Sequence, residues 1–86
     1  MEIFRSTRKN KKYMVKYNNK WIHFGDTRYE QFRDKTPLKA FSYLDHNDDN
    51  RRLNYINRAM GIKDKHGNIT ANNPNSSNYY AIRYLW

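Results

Sequence analysis

The segment Tyr13–Gly25, YMVKYNNKWIHFG, constrains the fold most, because its pattern predicts a β-hairpin whose register can be assigned. Two runs of β-branched and aromatic residues flank an Asn-Asn pair at positions 18 and 19. After glycine, asparagine best tolerates the left-handed backbone that both central positions of a two-residue hairpin turn require. Closing the turn there pairs Tyr17 with Lys20 and continues the ladder as far as Tyr13 with Phe24.

Side chains alternate between the faces of a β-strand, so this register divides the hairpin into an apolar face and a mixed face. The apolar face is suited to a protein core. Its members are Tyr13, Val15, Ile22 and Phe24, with Tyr17 at the edge. The members of the mixed face are Met14, Lys16, Trp21 and His23. Two interpretations of Trp21 are open: its ring stacks on bases, or it packs beneath a helix.

The size and charge of the chain limit what kind of protein it can be. With 86 residues it is one small domain with a thin core, and it has no cysteine for disulfides or thiolate metal sites. Its formal net charge of +9 favours nucleic acid or an acidic protein surface as partner, although a basic surface also simply keeps a small protein dispersed. Without a membrane span or a signal region, an intracellular protein with no membrane partner is expected.

The first twelve residues, MEIFRSTRKNKK, have the highest density of positive charge. Ile3 and Phe4 can anchor this segment to the core, but the basic run after them is too dense to pack. Residues 1–12 are therefore predicted to form a basic N-terminal arm, which is solvated or begins a strand, and residues 13–86 to form the single domain. Such an arm binds phosphate groups by charge alone, or has no function of its own.

Two short helices are predicted after the hairpin. The first has Thr36 as its N-cap and a proline at the first helical position, and it ends near Leu44. The second is capped by Asn47 or Asp48 and stops at Gly61.

The second predicted helix has two different faces. Its apolar stripe consists of Leu53, Ile56, Ala59 and Met60. Its second stripe, of cations, an amide and an aromatic ring, consists of Arg51, Asn54, Tyr55 and Arg58. On an exposed helix these side chains suit contacts to phosphates and base edges, or they form an ordinary solvated polar face.

The C-terminal segment NYYAIRYLW is dense in aromatic residues and follows a polar loop. A short helix capped by Ser76 or Ser77 is favoured over a strand. The aromatic side chains are expected to close the core over the hairpin or to dock on a partner. The predicted fold is therefore α+β, with a β-hairpin packed against two short helices and an aromatic C-terminal segment.

Motifs for catalysis and metal binding are weak in this sequence. Asp45, Asn47 and Asp49 match ligand positions of a calcium loop, but asparagine and isoleucine stand where that loop has glycine and glutamate. Helix capping explains these residues better. The three histidines are not gathered by spacing. We therefore expect a protein that is not an enzyme and has no catalytic residue, metal, cofactor or small-molecule substrate; a metal-dependent nuclease is the least favoured hypothesis.

The strings KKYMVK, WIHFG, DKTPLKAFSYLDHNDDNRR and NYYAIRYLW together resemble a family of small basic proteins of nucleocytoplasmic large DNA viruses, such as mimiviruses, phycodnaviruses and iridescent viruses. The resemblance covers residues 12–86 and leaves the arm uncovered. The family carries no catalytic residue to transfer. The resemblance implies a virus with a double-stranded DNA genome, assembly in the host cytoplasm, and a DNA-associated protein or a virion component.

Two functions are therefore predicted. The first is a non-enzymatic nucleic-acid-binding protein, with duplex DNA favoured and packaging with the genome as one role, in the host cytoplasm (the viral factory) and the virion. The alternative is a virion structural protein, in the capsid or its interior, that docks on an acidic protein surface. The predicted nucleic-acid-binding residues are Arg8, Lys9, Lys11, Lys12, Lys16, Lys20, Trp21, Arg51, Arg52, Tyr55 and Arg58.

Overall fold

The computed structural model describes all 86 residues, Met1–Trp86, as an antiparallel sheet of three strands followed by two α-helices. The regular elements are β1 (Ile3–Arg5), β2 (Lys11–Tyr17), β3 (Lys20–Asp26), α1 (Asp49–Met60) and α2 (Ser77–Leu85). The strand order is β1-β2-β3. Neither helix combines the length and the apolar character needed to cross a membrane. The fold is α+β, as the sequence predicted.

The hairpin formed by β2 and β3 has the predicted register. Tyr17 lies opposite Lys20, and Tyr13 lies opposite Phe24. The two turn asparagines have φ of 50° and 61°, the left-handed values that this type of turn requires. The turn therefore determines which side chains reach each face, and this prediction is confirmed.

β1 adds a third strand to the hairpin from within the predicted N-terminal arm. Ile3 pairs with Val15 and is buried in the core. The connection to β2 bends back through Asn10, whose φ is 65°. Residues 3–5 and 11–12 are thus strand residues of the sheet, and the domain boundary predicted at residue 12 falls within β2.

α2 is the predicted C-terminal helix, and it covers the apolar inner face of the sheet. The side chain of Ser76 accepts a hydrogen bond in its first turn, as a capping serine does. The ring centroids of Phe24 and Tyr80 are 5.8 Å apart, within the range of favourable aromatic pairs. The core cluster consists of Ile3, Tyr13, Val15, Ile22, Phe24, Phe41, Tyr80 and Leu85.

Gly25 allows α2 to approach the sheet closely. Its φ is 78°, and a Cβ atom at this position would stand 2.8 Å from Leu85 Cδ1 and 3.0 Å from the side chain of Lys12. Only glycine meets both conditions without strain, because it lacks a Cβ. The ladder skips the pair of residues 12 and 25, and Lys12 is buried at this point.

The helix predicted from Thr36 to Leu44 is wrong, since only a single 3-10 turn, Ser42–Leu44, forms there. The Thr36 hydroxyl does accept a hydrogen bond from the Lys39 backbone N–H at 3.2 Å, as an N-cap would. However, Lys39 has φ of 48°, and a left-handed residue ends a right-handed helical turn.

The buried carboxylate of Asp34 organises this segment instead of a helix. It accepts hydrogen bonds from the backbone N–H groups of Thr36 and Phe41, and from the hydroxyls of Thr36 and Tyr13. Burial alone would raise the pKa of Asp34, but the hydrogen bonds from Thr36 and Tyr13 hold that pKa below its usual value. Burial and the bond to Asp34 raise the pKa of Tyr13 to about 12. A tertiary contact to β2 thus replaces the local hydrogen bonds of the predicted helix.

α1 has the predicted ends but packs on a different side. The side chain of Asp48 caps its first turn, and the helix stops before the predicted glycine. In the predicted apolar stripe Ala59 is buried, whereas Leu53 and Met60 are exposed. Tyr55, from the other stripe, takes the inward position. An apolar strip of α1 is consequently left in solvent.

Candidate nucleic-acid interface

The outer face of the sheet, opposite the core, is uncovered. α2 is the only helix that contacts the sheet, and it lies on the inner face. Strand alternation and register assign the outer face five side chains: Phe4, Met14, Lys16, Trp21 and His23. None of the five is acidic.

Two aromatic rings are exposed on the outer face. Trp21 is 46% exposed and Phe4 is 38% exposed, and their ring centroids are 5.8 Å apart at an interplanar angle of 77°. The ammonium of Lys16 lies 5.7 Å from the centroid of the Trp21 ring. The Trp21 ring therefore lies on the open sheet rather than beneath a helix, with a cation beside it.

The end of the outer face near His23 is electropositive. The Ser6 hydroxyl oxygen lies 2.6 Å from His23 Nδ1 and holds the imidazole against the sheet. Burial lowers the pKa of His23, and the positive charges of Arg8 and Lys11 lower it further. Arg8 belongs to the exposed connection between β1 and β2, so a basic loop borders this face.

A groove of about 740 Å³ collects a different set of predicted residues. One wall is the end of the hairpin away from its turn, which contributes Lys11 and Lys12. Another wall is α1, which contributes Arg51 and Arg58. Trp86, just after α2, closes the bottom. Asp26 and Glu30 also line the groove, so its charge is mixed.

Three of the predicted α1 residues, Arg51, Arg52 and Tyr55, already have partners within the protein. Tyr55 stacks on Trp86 with ring centroids 4.0 Å apart and an interplanar angle of 6°. Arg52 donates a hydrogen bond from Nε to the backbone carbonyl of Trp86 at 2.6 Å. Arg51 forms an ion pair with Glu30 at 3.0 Å. Of the four predicted α1 residues, Arg58 has the most freedom to meet a ligand, since it is exposed and forms no ion pair.

Lys12 is an internal residue, and its predicted place in a phosphate-binding surface is wrong. It is 2% exposed, and its ammonium donates hydrogen bonds to the backbone carbonyl of Tyr29 and the side-chain oxygen of Gln31. Burial lowers the pKa of Lys12 to about 8, against the opposing influence of nearby carboxylates such as Asp26. Because both partners of its ammonium lie inside the protein, Lys12 is not available to a phosphate ligand.

Of two further predicted cations, Lys20 lies away from the outer face and Lys9 lies in the basic loop beside it. Lys20 follows the hairpin turn, and strand alternation points it to the side opposite Trp21. Lys9 is exposed in the connection between β1 and β2, close in sequence to Arg8. The predicted residues therefore do not form one surface. Lys16, Trp21 and the basic loop belong to the outer face, whereas Arg51 and Arg58 of α1 belong to the groove.

Most of the positive charge lacks an acidic partner. The chain has 17 lysine and arginine residues but two ion pairs, Arg28 with Asp26 and Arg51 with Glu30. The bond to Arg28 lowers the pKa of Asp26 to about 2. Two other carboxylates, Asp34 and Asp45, accept hydrogen bonds from neighbouring neutral groups.

Sequence reasoning missed the part played by Phe4, which was expected to anchor the chain to the core. Because β1 is a strand, Ile3 and Phe4 point to opposite faces, and only Ile3 is buried. Alternation would have identified Phe4 had β1 been recognised. No cluster of three or more histidine, cysteine or acidic side chains is arranged to hold a metal ion.

Among known proteins, a match was found for the N-terminal part of the chain. No curated protein and no solved structure matches the chain. Residues 1–37 match the model of a family described as a family of unknown function (DUF5754). The matched residues contain the three strands of the sheet together with Asp34 and Thr36.

Proposed function

We propose that this protein is a non-enzymatic nucleic-acid-binding protein that uses the outer face of the sheet and the basic loop beside it. One observation carries the proposal: Arg8 and Lys16 border an uncovered face and form no ion pair, although the chain contains eight acidic residues. Unpaired surface cations release counterions when they meet phosphates, which is the main source of sequence-independent binding to nucleic acids.

A titration at two salt concentrations tests this proposal. With about four phosphate contacts, affinity for a nucleic acid falls about a hundredfold between roughly 50 and 200 mM salt. The double variant Arg8→Gln, Lys16→Gln should reduce the slope of log affinity against log salt by about two. The matched control Lys63→Gln, Lys65→Gln removes two cations from a loop outside the sheet and should change the slope less. Binding that does not respond to salt would exclude the proposal.

The resemblance to proteins of large DNA viruses extends the proposal to its biological setting. We place the activity in the host cytoplasm, at the site of viral genome assembly, with packaging in the virion as its outcome. Immunodetection of the protein in nuclease-treated virions tests this part separately. Its absence from virions would remove the packaging role and leave nucleic-acid binding in place.

A second candidate function, docking on a virion protein, is favoured by the exposed apolar strip of α1. Leu53 is 58% exposed and Met60 is 40% exposed, and apolar side chains at this spacing on one helix suit a protein partner. The variant Leu53→Asp, Met60→Asp should abolish cross-linking to virion proteins if this function holds, while nucleic-acid binding persists. Loss of cross-linking in the Lys16→Gln variant instead would argue against docking through α1.

A further inference from the structure

We propose, on the basis of the proposed function above, that the outer face binds single-stranded nucleic acid by stacking unpaired bases on Trp21 and Phe4. The proposal names the form of nucleic acid and the residues that select it. It departs from the sequence prediction, which favoured duplex DNA as the partner.

The outer face has exposed aromatic rings on which bases can stack. Trp21 and Phe4 start from the two edge strands and meet edge to face, beside Met14 of the central strand β2, so the face carries one exposed aromatic pair. Base–aromatic stacking accepts any base, because every base has a π face. The exposed fractions of the two rings, 46% and 38%, leave ring surface for a ligand.

The charge of the outer face is complementary to that of a nucleic-acid backbone. Lys16 lies beside the Trp21 ring, and the Arg8 backbone N–H donates a hydrogen bond to the Ser6 hydroxyl, which contacts His23 at the other end of the face. A nucleic-acid chain that crosses the face therefore has cations for its phosphates at both ends and apolar rings for its bases between them. The nearest carboxylate of β3, on Asp26, is already bound to Arg28. An acidic or apolar protein partner would use only one of these two properties.

Single strands are favoured over duplex because their bases are unpaired. In a regular duplex the bases stack on each other and present their edges in the grooves, so a protein ring meets a base face only by wedging between base pairs and unstacking them. That unstacking costs free energy, whereas an unpaired base stacks on an exposed ring without this cost. The exposed rings of Trp21 and Phe4 are therefore better matched to a single strand than to a duplex.

Fluorescence anisotropy with labelled oligothymidylate, oligouridylate and a mixed-sequence duplex, each about 20 units long, tests the inference. The variant Trp21→Ala should lower affinity for the single-stranded probes roughly 5- to 100-fold, and Phe4→Ala should act in the same direction. Affinity for the duplex should change less than about twofold, since the cations remain. Oligodeoxyuridylate as a further single-stranded probe, compared with oligouridylate, identifies the preferred sugar, because these two probes carry the same base.

Tyr43→Ala supplies the matched control, because Tyr43 is an aromatic residue that is 76% exposed but lies in the 3-10 turn, away from the outer face. It should leave all affinities unchanged. In a Trp86→Phe background Trp21 is the only tryptophan, and its fluorescence should be quenched by oligothymidylate. Circular dichroism of each variant confirms that the fold is retained.

The outcomes separate the inference from the proposed function. Equal loss of single-stranded and duplex binding in Trp21→Ala, or no loss at all together with unquenched fluorescence, would overturn the stacking site. If the wild-type protein still binds with the expected salt dependence, the proposed function survives that result. If no probe binds at low salt, the proposed function and the stacking site fail together.

Discussion

The two faces of the sheet differ in how their aromatic residues are used. On the inner face Phe24 has no exposed surface and lies against Tyr80, while the hydroxyl of Tyr13 is bound to the buried carboxylate of Asp34. On the outer face Trp21 and Phe4 contact each other, and both rings remain partly exposed. The same β2–β3 hairpin thus presents one surface that is fully engaged in folding and one that is free for a partner.

In a small basic protein, the number of aromatic residues does not by itself indicate the size of the core. A chain of this length has a thin core, and burying every aromatic residue would stabilise it. The rings left on the outer face forgo that stabilisation. An exposed aromatic pair bordered by cations is a feature that folding does not explain, and so it points to binding.

The largest expected difference between the faces is in the response to truncation of a ring. Phe24→Ala should lower the free energy of unfolding by about 3–5 kcal/mol, because it leaves a cavity among packed rings. Phe4→Ala, on the outer face, should lower it by only about 1–2 kcal/mol. Urea denaturation of both variants measures the contrast, and equal losses would show that the outer rings are structural.

Replacing the buried carboxylate should have the next largest effect. Asp34→Asn should lower the free energy of unfolding by about 2–4 kcal/mol, since an amide cannot accept all four of the hydrogen bonds that the carboxylate accepts. Asp48→Ala removes the α1 cap and should cost about 1 kcal/mol. A larger loss of stability in Asp48→Ala than in Asp34→Asn would mean that the hydrogen bonds to Asp34 contribute little to the stability of the fold.

The close approach of α2 to the sheet can be tested at Gly25. Gly25→Ala combines a left-handed backbone with contact to Leu85, and should lower the free energy of unfolding by about 2–3 kcal/mol. Gly67 has a similar φ of 83° but open space around its Cα, so Gly67→Ala should cost about 1 kcal/mol. Thermal denaturation of the pair isolates the packing contribution from the backbone contribution.

The smallest effect concerns the pH dependence that Lys12 confers. Its pKa is lowered to about 8 in the folded protein, so between about pH 8 and 10 the unfolded chain binds more protons at this residue than the folded one. The free energy of unfolding therefore rises with pH across that window, and the contribution of Lys12 to this rise is about 1–3 kcal/mol in total. Lys12→Met should flatten the rise, whereas Lys16→Met on the outer face should leave it unchanged.

Sequence reasoning predicted the parts of the fold that local chemistry determines. The hairpin register follows from the turn asparagines, and the starts of both α-helices follow from Asp48 and Ser76. These signals involve residues close in sequence, so the pattern contains the whole interaction. The outer-face positions of Lys16 and Trp21 follow from the same register, which is why that part of the candidate site could be assigned.

The features that sequence reasoning did not predict depend on distant partners. The cap signal at Thr36 is present, but Asp34 bonds to Tyr13 of β2 and redirects the segment. Lys12 resembles a solvated lysine until Gln31 and Tyr29 are brought to it. The orientation of α1 was likewise not evident, because it depends on a ring stack with a residue beyond α2.

One feature of chain order has a consequence for how the molecule is made. The sheet is complete by residue 26, whereas Tyr80 and Leu85, which cover it, lie near the other end of the chain. On the ribosome the three strands emerge first, and their apolar inner face stays uncovered until α2, Ser77–Leu85, has been synthesised. The interval before α2 appears is therefore the stage at which the nascent protein is most vulnerable to aggregation.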